Sequence, residues 1–153
     1  MSAAAGEALA RVLATPTFEV IPLRHATDDA SSLPLGARVS VTASPLKGIE
    51  ATVGLCVQLQ AAGFQAVPHL SARMVRDRAH LTDLLAELED AGVDHAFVVG
   101  GDAKTHGSYA DGLSLLREMA DIGHKIGHIG VPCYPQGHPF IADEVLLLSL
   151  IHI

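Results

Sequence analysis

Five short apolar runs each deliver a hydrogen-bonding side chain at or just past their carboxyl ends: Glu19 within the first, Thr42, His69 and Asp102 after the next three, and Tyr134 with His138 after the fifth. A carboxylate on an apolar strand is costly to bury unless it is paired or protonated, so burial would raise the pKa of Glu19 and let it donate a proton near neutral pH. The competing reading is a solvated glutamate at a strand end. Asp102 follows Gly100 and Gly101, residues that permit close backbone approach to a ligand and are equally at home in a plain turn. His69 taken alone suits a satisfied loop histidine, and Thr42 a hydroxyl that closes the next turn. Tyr134 and His138 stand in a loop stiffened by Pro135 and Pro139.

Other chemistries lack their signatures. The chain has nine histidines, yet no H-E-x-x-H and no Cys/His cluster, and His25, His80, His95, His106, His124 and His128 show no ligand spacing. His124 and His128 are four apart but fall in an expected strand, where that spacing makes no helical pair. No metal site is expected. A serine nucleophile would need a G-x-S-x-G turn and a Rossmann nicotinamide site a G-x-G-x-x-G loop, and neither occurs.

The elements that carry these residues follow a repeated grammar. Gly63, Gly92 and Gly123 each precede a short apolar run: Phe64–Pro68, His95–Val99 and Lys125–Ile129. A glycine suited to the left-handed residue after a helix, then a strand, at intervals of about 30, describes βα units. Leu81, Leu84, Leu85 and Leu88 form a helical stripe opposite Asp83, Glu87 and Glu89, and Ile49, Val53, Cys56 and Val57 form another. Ser108-Tyr109-Ala110-Asp111 has the S-x-x-D form of a helix start, with Leu113, Leu116 and Ala120 as the stripe behind it. Thr17–Ile21 and Arg38–Thr42 complete a set of five strands, and Ala3–Ala14 is expected as a leading helix within 1–14. Length alone favours a doubly wound sheet, since a (β/α)8 barrel takes about 250 residues. Delivery of a polar side chain by every strand suits a barrel mouth better. The expected fold is therefore α/β, a partial (β/α)8 TIM barrel with about five parallel strands, in one domain over 1–153.

Composition narrows the function. With 49% hydrophobic and 18% charged residues the chain can build a sizeable core, and a formal charge of −7 would repel a phosphate backbone. Arg73, Arg76 and Arg78 are the only basic concentration, and Asp77 interrupts it, so no nucleic-acid partner is expected. The longest apolar run, Val145–Leu148, falls far short of a membrane span, and no basic-then-apolar leader is visible, so the expectation is a cytoplasmic protein without a membrane partner. Cys56 and Cys133 are expected as buried free thiols.

Thr17-Phe18-Glu19-Val20-Ile21-Pro22, Val39-Ser40-Val41-Thr42, Pro68-His69-Leu70, Gly101-Asp102, Tyr109-Ala110 and Tyr134-Pro135-Gln136-Gly137-His138-Pro139 resemble successive blocks of the methylenetetrahydrofolate reductases, in that family's order. The resemblance spans roughly Thr15 to Asp143. It implies a flavin-binding barrel, with FAD or FMN as cofactor, that passes a hydride from NADH or NADPH to a folate-bound one-carbon unit. By resemblance Glu19 protonates the folate and Asp102 lies by the flavin ring and the pterin. Thr42, His69, Gly100, Gly101, Tyr109, Ala110, Tyr134 and His138 are then cofactor contacts. Tyr109 and Ala110, at a helix N-terminus, would offer backbone N–H groups to a phosphate. The family usually carries arginine where this chain has Gly100, which removes one cationic contact. After Asp143 the resemblance stops and the chain ends in an apolar tail, residues 144–153, which suggests a shortened form of a longer enzyme with a non-native terminus. Such a form would be weakly active at best and prone to self-association as a homo-oligomer. The alternatives are a non-enzymatic α/β binding or interaction domain and a flavin barrel acting on another folate-linked substrate.

Overall fold

The computed structural model describes residues 3–134, 136 and 137. In chain order these form α1 (Ala3–Ala14), β1 (Thr17–Val20), α2 (Ala26–Ala30), β2 (Arg38–Val41), α3 (Ile49–Ala61), β3 (Gln65–Ser71), a 3-10 turn (Ala72–Met74), α4 (Arg78–Asp90), β4 (His95–Val99), α5 (Gly112–Ile122) and β5 (His128–Gly130). The strands make one sheet in the order β1-β2-β3-β4-β5, every neighbouring pair parallel. A doubly wound sheet reverses its strand order at a switch point, whereas this one advances by one strand at every crossover. Sequential advance is barrel winding, and the fold is a partial TIM-type α/β sheet.

The alternation of side chains along each strand separates two faces. Val39, Val41, Ala66, Leu70, Ala96 and Val98 are at most 2% exposed and share one core with Ile49, Val53 and Leu59 of α3, Leu81, Leu85 and Leu88 of α4, and Leu115 and Met119 of α5. Each such leucine contributes about 1.5–3 kcal/mol by leaving water. The opposite face carries Thr17, Glu19, Arg38, Ser40, His69, His95, Phe97 and His128 and is open. Its polar groups are mixed with the apolar side chains of Val67 and Phe97.

The repeat glycines have the conformation their position demands: φ is +90° at Gly63, +75° at Gly92 and +79° at Gly123. After α3 and α4 the chain makes the same pair of closing bonds, Phe64 N–H to Leu59 O with Gly63 N–H to Gln60 O, and Val93 N–H to Leu88 O with Gly92 N–H to Glu89 O. These are Schellman closures, and the residues after the glycines, Phe64 and Val93, are buried.

Several boundaries differ from expectation. The strand expected at Phe64–Pro68 runs from Gln65 to Ser71, so His69 lies inside β3 rather than after it. Pro68, which has no N–H to give, falls where β3 leaves its pairing with β2 and takes up β4 at His69. The helix expected from Ser108 begins at Gly112, because Asp111 caps it: Asp111 Oδ1 accepts from Ser114 N–H at 2.8 Å, and Ser114 Oγ lies 3.4 Å from Asp111 N–H. Its buried stripe is Leu115 and Met119, not Leu113, Leu116 and Ala120. The last strand is shorter than Lys125–Ile129 and starts at His128. Residues 144–153 lie outside the described region.

Both thiols are free, but only Cys56 is buried; Cys133 is exposed. Burial pushes the Cys56 thiol far up, away from its nucleophilic thiolate form. A colorimetric thiol titration of the native protein should show one fast thiol, lost in Cys133→Ser, with the second appearing only in denaturant. Two fast thiols in the native protein would contradict the burial of Cys56.

Candidate functional site

The loops at the carboxyl ends of the strands enclose a cleft of about 990 Å³. Thr42, His69, Gly100, Gly101, Asp102, Ala110 and Tyr134 all line it, although they come from five separate stretches of chain. Met74, Val98, Leu113, Leu116, Val131 and Pro132 give it apolar walls, and Arg73 and Lys104 bring positive charge. An apolar cleft of this size with a few convergent polar groups suits a flat heterocycle. Leu113 and Leu116 face the cleft because the capped start at Asp111 turns Leu115 and Met119 onto the sheet.

Glu19 does not line this cleft. It sits on the open inner face of the sheet, in a second cavity of about 710 Å³, and His69 borders both. Glu19 Oε2 lies 3.8 Å from His69 Nε2. The apolar setting expected for Glu19 is absent, since its side chain is 61% exposed; the period-two alternation turns it away from the helices. Burial lowers the pKa of His69, an effect that the Glu19 carboxylate partly opposes. The imidazole also meets the Phe97 ring at a centroid distance of 5.0 Å.

Two further positions depart from expectation. Tyr109 is only 4% exposed and belongs to the core, so its ring is not a wall of the cleft. Both Tyr109 and Ala110 precede the first turn of α5, and neither opens a helix. His138 lies outside the described residues.

The loop between β4 and α5 is held by a side chain that sequence reasoning noted only for its charge. Arg73 Nε donates to Ala103 O at 2.6 Å, Nη2 to Lys104 O at 3.2 Å and Nη1 to Ala110 O at 3.4 Å, while Arg73 N–H donates to Gly100 O at 3.1 Å. One guanidinium therefore ties both ends of the loop to the segment after β3. Beneath it, Gly101 has φ +86°, and a Cβ there would meet Ser71 Oγ at 2.0 Å. Gly107 is as close-fitting, since a Cβ would come within 2.3 Å of Val75 O. No pattern in sequence marks Arg73 or Ser71, because the fit is between loops some 30 residues apart. The other two arginines of the cluster are paired as well, Arg76 with Glu50 at 2.9 Å and Arg78 with Glu118.

At the opposite, amino end of the sheet, His95 and His128 are direct register partners on β4 and β5. Their rings stack at 4.4 Å, and His128 Nδ1 lies 3.0 Å from Asp94 Oδ2. The histidines that seemed scattered along the chain are thus brought together in two cases. Spacing within one strand cannot reveal a pair formed across two.

Among the described residues, no helix is long and apolar enough to cross a membrane. No protein-family model matches the chain.

Proposed function

We propose that this protein binds a flavin in the mouth cleft and acts as an oxidoreductase of the methylenetetrahydrofolate reductase type, using NADH or NADPH to reduce a folate-bound one-carbon unit. The observation that carries this reading is the convergence of Thr42, His69, Gly100, Gly101, Asp102, Ala110 and Tyr134 on one cleft of about 990 Å³.

The residues fit the group. Gly100 and Gly101 carry no side chain that would fill the floor, Leu113, Leu116 and Val131 offer apolar contact to a ring system, and Lys104 is a cation for an anionic phosphate. A bound flavin would supply the two-electron relay, taking a hydride from the nicotinamide and giving it to the folate. Asp102, on the lining of the cleft, would disfavour negative charge on a ring bound beside it. His69 orients ligands at the junction of the two cavities, and the Glu19 carboxylate, with Oε2 3.8 Å from His69 Nε2, holds that imidazole from the side of the second cavity. The departure at Gly100 leaves Lys104 and Arg73 as the cleft's cations, and three carbonyls already occupy Arg73.

The test is a titration of the purified chain with FAD and with FMN, followed by flavin fluorescence and by the visible spectrum. One equivalent of flavin should bind with quenched emission, and His69→Ala and Tyr134→Ala should each weaken it about ten-fold. A folded, colourless monomer that leaves flavin emission unchanged would overturn the proposal and favour a non-enzymatic binding domain.

A further inference from the structure

The cluster at the amino end of the sheet has no part in the reading above. Asp94, His95 and His128 each present one ligand atom, and the three atoms lie within 4.8 Å of one another. We propose that they form a binding site for a single divalent transition-metal ion of the Zn²⁺ or Co²⁺ class, one that clips β5 and the turn before it to β4.

Three independent features of the geometry converge on this. The two histidines are register partners on adjacent parallel strands, so their side chains leave the same face of the sheet at the same level. The carboxylate is already oriented: Gly127 N–H donates to Asp94 Oδ1 at 2.9 Å, which leaves Oδ2 turned towards His128 Nδ1 at 3.0 Å. That hydrogen bond to the carboxylate is the kind of outer contact that fixes a metal ligand. Third, the approach depends on residue 127 having no side chain, since a Cβ there would stand 2.6 Å from Asp94 Oδ1.

The chemistry matches the donor set. Two imidazoles and one carboxylate are ligands for zinc-like ions, and tetrahedral coordination at about 2.0–2.1 Å separates donor atoms by about 3.3 Å. Asp94 Oδ2 and His128 Nδ1 are already closer than that, and the imidazole of His95, stacked 7° from parallel on His128, must rotate out of the stack to turn its lone pair towards the ion. The ion takes the place of the proton shared between Nδ1 and Oδ2, which leaves to solvent, and water completes the coordination. Arg38, whose charge reaches His95, is exposed at the start of β2 and can turn outwards.

The position points to a structural role. Ligand chemistry in barrel folds gathers at the carboxyl ends of strands, and the opposite end contributes stability. β5 has three residues, and β4 is its only partner among the described strands. An ion shared by Asp94, His95 and His128 would join the two strands at their starting level, and binding to the folded state alone stabilises it.

The experiment uses the full chain without a histidine tag, titrated with Co²⁺ after treatment with a chelator, and read by visible d–d absorption and by the thermal midpoint with Zn²⁺. One equivalent should give the intense bands of a four-coordinate site and raise Tm. His95→Ala and His128→Ala should each weaken Co²⁺ binding by about 100-fold, and Asp94→Asn, which keeps the acceptor for Gly127, by about 10-fold or more. His25→Ala, elsewhere on the surface, should change nothing, and Arg38→Met should tighten binding. If the three site variants bind Co²⁺ as the parent does, or the spectrum stays that of the hydrated ion, the site does not exist. Flavin binding is read separately, so either proposal can fail alone.

Discussion

Gly101→Ala should lower the stability of the protein by roughly 3 kcal/mol, the sum of about 1–2 kcal/mol for a left-handed backbone at a non-glycine residue and about 1–3 kcal/mol for overpacking. For a chain of this length that is a fall in Tm of about 6–12 °C. The φ of +86° supplies the first part, and the 2.0 Å approach of the added Cβ to Ser71 Oγ supplies the second. The two parts can be told apart. Ser71→Ala removes the Oγ and leaves its Cβ 3.3 Å from the added carbon, so a double-mutant cycle should recover only the steric share. Additive losses in the double mutant would show that the loops do not meet as described. Because Gly101 lines the cleft, the same variant should also weaken flavin binding.

The second large effect is expected at Arg73. Arg73→Ala removes the guanidinium bonds to Ala103, Lys104 and Ala110 and leaves two backbone bonds between these segments of chain, Arg73 N–H to Gly100 O at 3.1 Å and Ser108 N–H to Arg76 O at 2.7 Å. Hydrogen bonds from a charged donor are the stronger kind, and this side chain is half-buried. Opening of the 100–111 loop should become about ten-fold or more easier, and limited trypsin cleavage after the exposed Lys104 should accelerate in proportion. Flavin affinity should drop by at least about ten-fold, since Gly100, Gly101, Asp102 and Ala110 are all set by this tether. Arg73→Lys should not rescue either readout, because a single ammonium cannot reproduce a planar fork aimed at three carbonyls. Unchanged cleavage in Arg73→Ala would mean that the loop is held by other means.

Both effects lie at contacts invisible along the chain. Ser71 and Gly101, or Arg73 and Ala110, are some 30 residues apart, and nothing in the type or spacing of either partner announces the other. The same holds for His95 and His128, whose neighbourhood is a product of strand register. Tyr109 shows the converse case. Its place beside Ala110 at an apparent helix start suggests a cleft residue, yet the capping bond from Ser114 N–H to Asp111 delays the helix to Gly112, and the ring is buried.

What the amino-acid order determined by itself was local: helices where apolar residues recur every three or four positions, strands after Gly63 and Gly92, Schellman closures between them, and the parallel α/β class that such alternation entails. Those features depend on interactions within about six residues, which a linear pattern encodes directly. The face to which Glu19 turns, the fit of Gly101 under Ser71 and the meeting of Asp94 with His128 were decided only in three dimensions. They depend on how βα units stack, and the free energy of stacking belongs to pairs of surfaces, not to any one segment.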